Sequence, residues 1–327
     1  MATIQDIADA VGISKAAVSR ILNHKGSFSE ETILKVFAEA KRLNYSVPSA
    51  ARESVRMEDS KIIAAVFPAT TSPYFGMLAS LCEEEAYNYG YNLMLCGSLF
   101  NREKLAEVFD SLKKKRVSGI MLGGFADSEY LDEFSSMPLI TVGYHWDDRI
   151  TSVMSDSYAA GKLAARHLYH KGCRHPLYIS AFSYGLKYDL RYQGYRDEFK
   201  KNGIEVSAYY CERHTMNRET MHGRITEMLL EHPEADGLFA ESQSMSLTCL
   251  KVVLQMGYDV PGNIKVIGYG NTSAIDYCIP EITYVKENTP EIARIAVGAI
   301  VEMIEGEDKT PVKQMKVPVV LQIRQTT

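Results

Sequence analysis

Lys15, Ala16, Ser19, Arg20 and Asn23 recur at i, i+1, i+4, i+5 and i+8, a spacing that gathers side chains on one face of an α-helix. The face offers hydrogen-bond donors and one small residue. Between Ala10 and Phe28 there are three basic residues and no acid. An α-helix fits the major groove of B-DNA, where Lys or Arg can reach O6 and N7 of guanine. Double-stranded DNA is therefore the partner this face predicts. The competing reading is an ordinary solvated helix face.

Catalytic and cofactor chemistry is weakly represented. His167, His170, Cys173 and His175 fall within nine residues and are zinc-ligand types. Gly268-Tyr269-Gly270-Asn271 follows an apolar run but lacks the third glycine of a dinucleotide fingerprint. Neither a G-x-x-x-x-G-K-[ST] phosphate loop nor a G-x-S-x-G nucleophile elbow occurs. Asp147 and Asp148 are sequence neighbours with nothing that marks acid–base work. The expectation is no enzyme activity, no catalytic residues and no cofactor.

The DNA-facing stretch needs helices to support it, and the flanking sequence supplies them. Thr3-x-x-Asp6 has the form of a capping box, and Ile4, Ile7, Ala8 and Val11 follow at helical spacing. Gly12 then breaks the helix. Ser14 can cap a second helix whose inward face is Val18, Ile21 and Leu22. Ser29 caps a third, with Ile33, Val36, Phe37, Ala40 and Leu43 on its apolar side. Three short helices around a glycine turn make a helix-turn-helix head over residues 1–44. Charge follows the same division. Residues 1–57 hold eight basic and six acidic side chains and the remainder 28 and 35, within a net charge of −5. A locally basic head on an acidic body is the informative pattern.

After a polar linker at 45–60, apolar runs with strand character alternate with helical patterns from Lys61 to a last expected strand at 315–321. That alternation predicts an α/β core of two doubly wound parallel-sheet subdomains, divided near residue 150. Ligands bind such sheets beyond the carboxyl ends of the strands. No apolar run approaches the ~20 residues of a membrane span, and Met1–Ala10 lacks the basic and apolar regions of a secretory signal. The six cysteines are scattered without a C-x-x-C. A cytoplasmic protein with reduced thiols is expected.

The run T-I-Q-D-I-A-D-A-V-G-I-S-K-A-A-V-S-R-I-L-N at 3–23, with S-E-E-T at 29–32, resembles the head of the LacI/GalR family of bacterial transcription regulators. The tail V-P-V-V-L-Q-I-R-Q-T-T is similar to that family's terminus. The resemblance implies a repressor that binds a near-palindromic operator as a homodimer. Its core would be periplasmic-binding-protein-like, one subdomain spanning 61–153 plus 287–310 and the other 154–286 plus 311–327, with a small effector in the cleft. Lys15 and Ala16 would face base edges and Arg20 bases or phosphate. Thr3, Ser14, Ser19, Asn23 and His24 would set the register on the DNA backbone. In the linker Arg52 would meet phosphate. The family's wedging Leu is replaced by Ser54 or, shifted by one to align Pro48, by Val55.

Cleft positions carry over one by one. Ser72-Pro73-Tyr74-Phe75 matches the S-N-P-F-F loop, and Tyr144 a stacking aromatic. Asp156 matches the acid of V-V-V-D-N, and Arg191 the arginine of R-x-x-G-F. Ser242-Gln243 replaces an Asn-Asp pair, Gly270-Asn271 replaces two acids, and Gly143 replaces another. The implied effector site is Tyr74, Phe75, Tyr144, Asp156, Arg191, Ser242, Gln243 and Asn271. With acids replaced and Arg191 retained, a sugar or an anionic sugar derivative is expected. His167 and His175 match the ordinary H-L…G-H pattern, so no metal is expected. The alternatives are a solute-binding protein that uses the same core without DNA and, more weakly, an enzyme built on the cleft.

Overall fold

A computed structural model describes residues 3–22, 26, 28–43, 45, 60–69, 71–98, 101–124, 137–145, 147–181, 186–211, 218–271, 273–275, 277–306 and 311–327. The chain divides into two units, 1–62 and 63–327.

In the first unit, α1 (Ile4–Val11) opens on the expected capping box. Thr3 N–H donates to Asp6 Oδ2 at 2.7 Å and Asp6 N–H to Thr3 Oγ1 at 3.3 Å. Gly12 ends the helix with φ +75°, a left-handed conformation that costs glycine little. The turn leads to α2 (Lys15–Leu22), where Ala17 N–H donates to Ser14 Oγ at 3.1 Å. In α3 (Glu30–Arg42), Thr32 N–H donates to Ser29 Oγ at 3.3 Å. Ile7, Val18, Ile21, Leu22, Val36 and Ala40 are buried together, so each helix contributes its predicted apolar side.

The second unit alternates strands and helices. The elements are β1 (Ile62–Phe67), α4 (Pro73–Asn88), β2 (Asn92–Gly97), α5 (Arg102–Lys115), β3 (Gly119–Gly123), β4 (Leu139–Val142), β5 (Thr151–Ser155), α6 (Ser157–His170), β6 (Pro176–Ser180), α7 (Leu190–Lys200), β7 (Ser207–Tyr210), α8 (Arg218–Glu231), β8 (Gly237–Ala240), α9 (Gln243–Gln255), β9 (Lys265–Gly270), β10 (Thr283–Lys286), α10 (Thr289–Glu305), β11 (Gln314–Val317) and β12 (Val320–Gln322). They build two six-stranded sheets, ordered β11-β5-β4-β3-β1-β2 and β12-β10-β9-β8-β6-β7. β12 runs antiparallel to β10, while β10, β9, β8, β6 and β7 are parallel. The interior strands β1, β3, β4 and β5 are buried almost throughout, as strands covered on both faces should be.

The structure corrects the expected C-terminal strand. Residues 314–317 pair with β5 in the first sheet, and 320–322 pair with β10 in the second. Pro318 lies between them and has no N–H for a continued ladder. The segment 311–327, expected wholly in the second subdomain, is thus shared by both. Strands β7 and β10 were not expected; each is four residues long and mixes polar with apolar residues, unlike the equally short apolar runs of β4 and β8.

The chain passes between the sheets at 155–157, 286–289 and 317–320. Hydrogen bonds tie these crossings together. Ser155 Oγ donates to Glu287 Oε1 at 2.8 Å, and Asp156 N–H donates to Val317 O at 2.9 Å.

Candidate functional sites

In the head, Ser14, Lys15, Ala16 and Arg20 are exposed and Ser19 is half-buried. Their helix presents Val18, Ile21 and Leu22 to the core, which leaves the predicted donor face outward. Thr3 is exposed, with its hydroxyl engaged by Asp6 at 2.9 Å. Asn23, His24, Arg52, Ser54 and Val55 lie outside the described residues.

In the core, a cavity of about 390 Å³ opens at the carboxyl ends of β1, β4, β6, β8, β9 and β10. The first turns of α4, α6, α7 and α9 reach it through Ser72-Pro73, Ser157, Arg191 and Ser242-Gln243. Helix N-termini bring unpaired N–H groups and positive potential. Ser72 and Ser242 occupy N-cap positions but make no side-chain cap hydrogen bond.

Arg191 is positioned by glycine. A Cβ at Gly161 would collide with the Arg191 carbonyl and lie 2.6 Å from Tyr195 N, and one at Gly194 would collide with the Tyr158 carbonyl. α6 and α7 therefore touch backbone to backbone, and the R-x-x-G spacing fixes the start of α7 against its neighbour. Asp189 then locks that start. Its Oδ1 accepts from the Arg191 and Tyr192 N–H groups at 3.0 and 3.3 Å, and its Oδ2 from Tyr178 and Ser180 hydroxyls at 2.6 and 2.8 Å. From this anchor Arg191 Nη1 donates to the Glu241 carbonyl, and the guanidinium lies 4.1 Å from the Tyr269 ring centroid. Its Nε is buried without a hydrogen-bond partner. Burial opposes the Arg191 charge, but Tyr269, Asp189 and Glu241 act the other way and hold its pKa well above the usual arginine value.

Seven of the eight predicted effector residues line the cavity: Tyr74, Phe75, Tyr144, Arg191, Ser242, Gln243 and Asn271. Phe75 is also core, 4% exposed and packed against Phe67 at 5.5 Å, so Tyr74 is the more accessible ring of that loop. Asp156 stands apart. Its carboxylate accepts from Ala159 N–H at 2.9 Å and caps α6. Gln243 is 8% exposed, with its Nε2 unpartnered.

Sequence reasoning missed Glu241, Tyr269 and Glu287. Glu241 immediately precedes the predicted Ser242, Tyr269 lies two residues before the predicted Asn271, and Glu287 follows the unexpected strand β10. Glu241 and Glu287 are 4% and 7% exposed. Tyr269 hydroxyl donates to Glu287 Oε1 at 2.8 Å, the same oxygen that accepts from Ser155. Burial, then Glu287, keeps the Tyr74 and Tyr269 hydroxyls well above the ordinary tyrosine range, so both remain protonated donors. These carboxylates correct the expectation that the cleft has lost its acids and so suits an anionic sugar derivative. Among the described lining residues two acids accompany one guanidinium, which removes the basis for preferring an anionic ligand.

Two departures from the family pattern have local causes. Gly143 has φ +84°, and a Cβ there would lie 3.0 Å from Tyr74 Oη. Gly270 has φ +143°, and a Cβ there would lie 3.1 Å from Gln243 Cβ. The longer Gln243 occupies space beside the position that loses its side chain. The histidine–cysteine cluster has structural partners: Cys173 Sγ donates to Asp236 Oδ1 at 2.8 Å, and His167 Nε2 is 2.8 Å from Thr327 Oγ1. Among the described residues no group of acids, histidines and cysteines is arranged to hold a metal ion, and no helix is long and apolar enough to cross a membrane.

A helix-turn-helix head and a two-sheet core with a polar, aromatic-lined cleft define a DNA-binding regulator with a small-molecule site. The comparisons agree at both ends. Residues 3–48 match the lacI family of bacterial regulatory proteins, and residues 165–327 match the periplasmic binding protein-like domain. The chain is 28% identical to the ribose operon repressor of Halalkalibacterium halodurans over 332 residues, covering 100% of this chain and 97% of that one. It is 28% identical to the transcriptional repressor PurR of Mannheimia succiniciproducens over 316 residues, covering 94% and 93%. A periplasmic binding protein/LacI transcriptional regulator from Alkaliphilus metalliredigens, solved with D-xylulofuranose, superposes with a TM-score of 0.73 at 26% identity, covering 82% of this chain and 99% of that one. The chain carries a LacI-family helix-turn-helix domain followed by a periplasmic-binding-protein-like domain.

Proposed function

We propose that this regulator is a repressor that binds a near-palindromic operator as a homodimer and is controlled by a small effector in the cleft of its core. The exposed, acid-free face of α2 carries this reading. Lys15, Ala16 and Arg20 read base edges or phosphate, with Ser14, Ser19 and Thr3 setting register. Arg191, Gln243, Tyr74, Tyr144, Ser242 and Asn271 hold the effector. The protein acts in the cytoplasm, where operator DNA is found, and its cleft binds rather than turns over its ligand. The head favours this reading over a solute-binding role, for which a DNA-facing helix has no use.

Selection from random duplexes by gel shift tests it. A pseudo-palindromic motif is the expected result, and recovery of no motif refutes the reading. Lys15→Ala and Arg20→Ala should each weaken binding to the selected duplex by ~1–3 kcal/mol and relax preference at one position.

A further inference from the structure

We propose that the cleft recognises a polyol bearing a protonated amine, of the amino-sugar class, with the ammonium held at Glu287. The inference rests on the cleft being the effector site and concerns only what fills it. Four unmet groups define the ligand. Both hydrogen bonds to Glu287 arrive at Oε1, from Ser155 and Tyr269, so Oε2 has no donor among the described residues. The Glu241 side chain likewise receives no hydrogen bond from them, although its backbone carbonyl accepts from Arg191. Arg191 Nε and Gln243 Nε2 are buried donors without acceptors. A buried polar group left unpaired is destabilising, so acceptors on the ligand suit the two nitrogens, while the two carboxylates, whose residues line the cavity, can accept donors from it.

Charge separates an amine from a plain hydroxyl. Arg191 is the only basic side chain among the described cavity-lining residues. Its charge is already offset by Asp189 behind it and Glu241 beside it, both of which hold its guanidinium protonated. Among the described residues Glu287 forms no ion pair; its carboxylate accepts from the Tyr269 hydroxyl, and Tyr74 lines the same cavity. A carboxylate without a cationic partner among the described residues favours an ammonium through charge-assisted hydrogen bonding. The ring oxygen and hydroxyls of the ligand then accept from Arg191 Nε and Gln243 Nε2. A phosphate or carboxylate at Glu287 would meet like charge.

Calorimetry on the full chain with matched pairs tests this. D-glucosamine, D-galactosamine and D-mannosamine are each compared with the parent hexose, with the N-acetylated form and with the hexose 6-phosphate. At least one amine should bind tighter than its hydroxyl and N-acetyl partners by about tenfold or more. Glu287→Gln, which keeps an acceptor for Ser155 and Tyr269, should erase that advantage. Equal or tighter binding by every neutral or phosphorylated partner overturns the proposal, as does an advantage that persists in Glu287→Gln or no binding by any of the amines. A neutral or phosphorylated ligand that binds at least as tightly as every amine and shifts operator affinity overturns the amine assignment while leaving the effector site standing. Ligands that bind without any effect on the operator contradict the effector reading itself.

Discussion

Arg191 illustrates how one side chain is prepared for a ligand. Gly161 and Gly194 let α6 and α7 meet at the backbone, Asp189 caps α7, and Tyr269 supports the guanidinium face. What remains without a partner is its buried Nε, on a residue that lines the cavity. Arg191→Ala should weaken effector binding at least about tenfold, since a lost charged hydrogen bond of ~1.5–3 kcal/mol exceeds the 1.4 kcal/mol of a tenfold change. Operator affinity without effector should stay the same, because the substitution lies in the core unit. Calorimetry and gel shift on the same preparations check both halves. Arg191 was legible through the resemblance of R-Y-Q-G-Y to the family's R-x-x-G-F, and the structure supplies a packing reason for that spacing. Glu287 was not, because the strand that delivers it, Thr-Tyr-Val-Lys, has no continuous apolar run to mark it. Glu241 and Tyr269 belong to no motif of their own, although residues at the ends of strands in such sheets border the ligand as a rule.

At the scale of elements, the contact between α6 and α7 is the most exacting in the core. A methyl group at Gly194 or Gly161 meets backbone atoms that cannot swing aside. Gly194→Ala should therefore destabilise the core by ~1–3 kcal/mol or more through overpacking and weaken the effector with it as Arg191 is displaced. Urea denaturation followed by ligand titration would show both; an unchanged midpoint would contradict the packing account. In the linker, Ser54 and Val55 stand where the family resemblance implies a wedging Leu. Neither matches its reach, so the operator should be bent less sharply than by a Leu-bearing relative, and Val55→Leu or Ser54→Leu should increase bending or affinity. Circular-permutation gel shifts read this directly, and a sharp central kink with the native chain would count against it. The helices of the head were legible because caps, a glycine stop and 3.6-residue periodicity agree. The division of the C-terminal strand was not, because Pro318 marks a break but nothing in the sequence says which sheet each half joins.

For the whole molecule, the three crossings between the sheets offer the means by which a ligand acts at a distance. Glu287 lines the cavity and, through Ser155, joins two of the crossings; Asp156 and Val317 join the first to the third. A ligand that favours one angle between the sheets shifts the population of that angle by its differential affinity. Thermal-shift screening finds such ligands efficiently, since saturation at 100 times Kd adds ~2.7 kcal/mol of stability. The most direct test of the central claim, control of DNA binding through the cleft, is the thermodynamic cycle between them. The Kd for the selected duplex is measured with and without saturating cleft ligand, and the Kd for the ligand with and without saturating duplex. Linkage predicts that both constants change by the same factor, in the range of roughly 5–150-fold, and that Arg191→Ala lowers the ligand term alone. A ligand that fills the cleft while the duplex Kd stays constant would contradict the account.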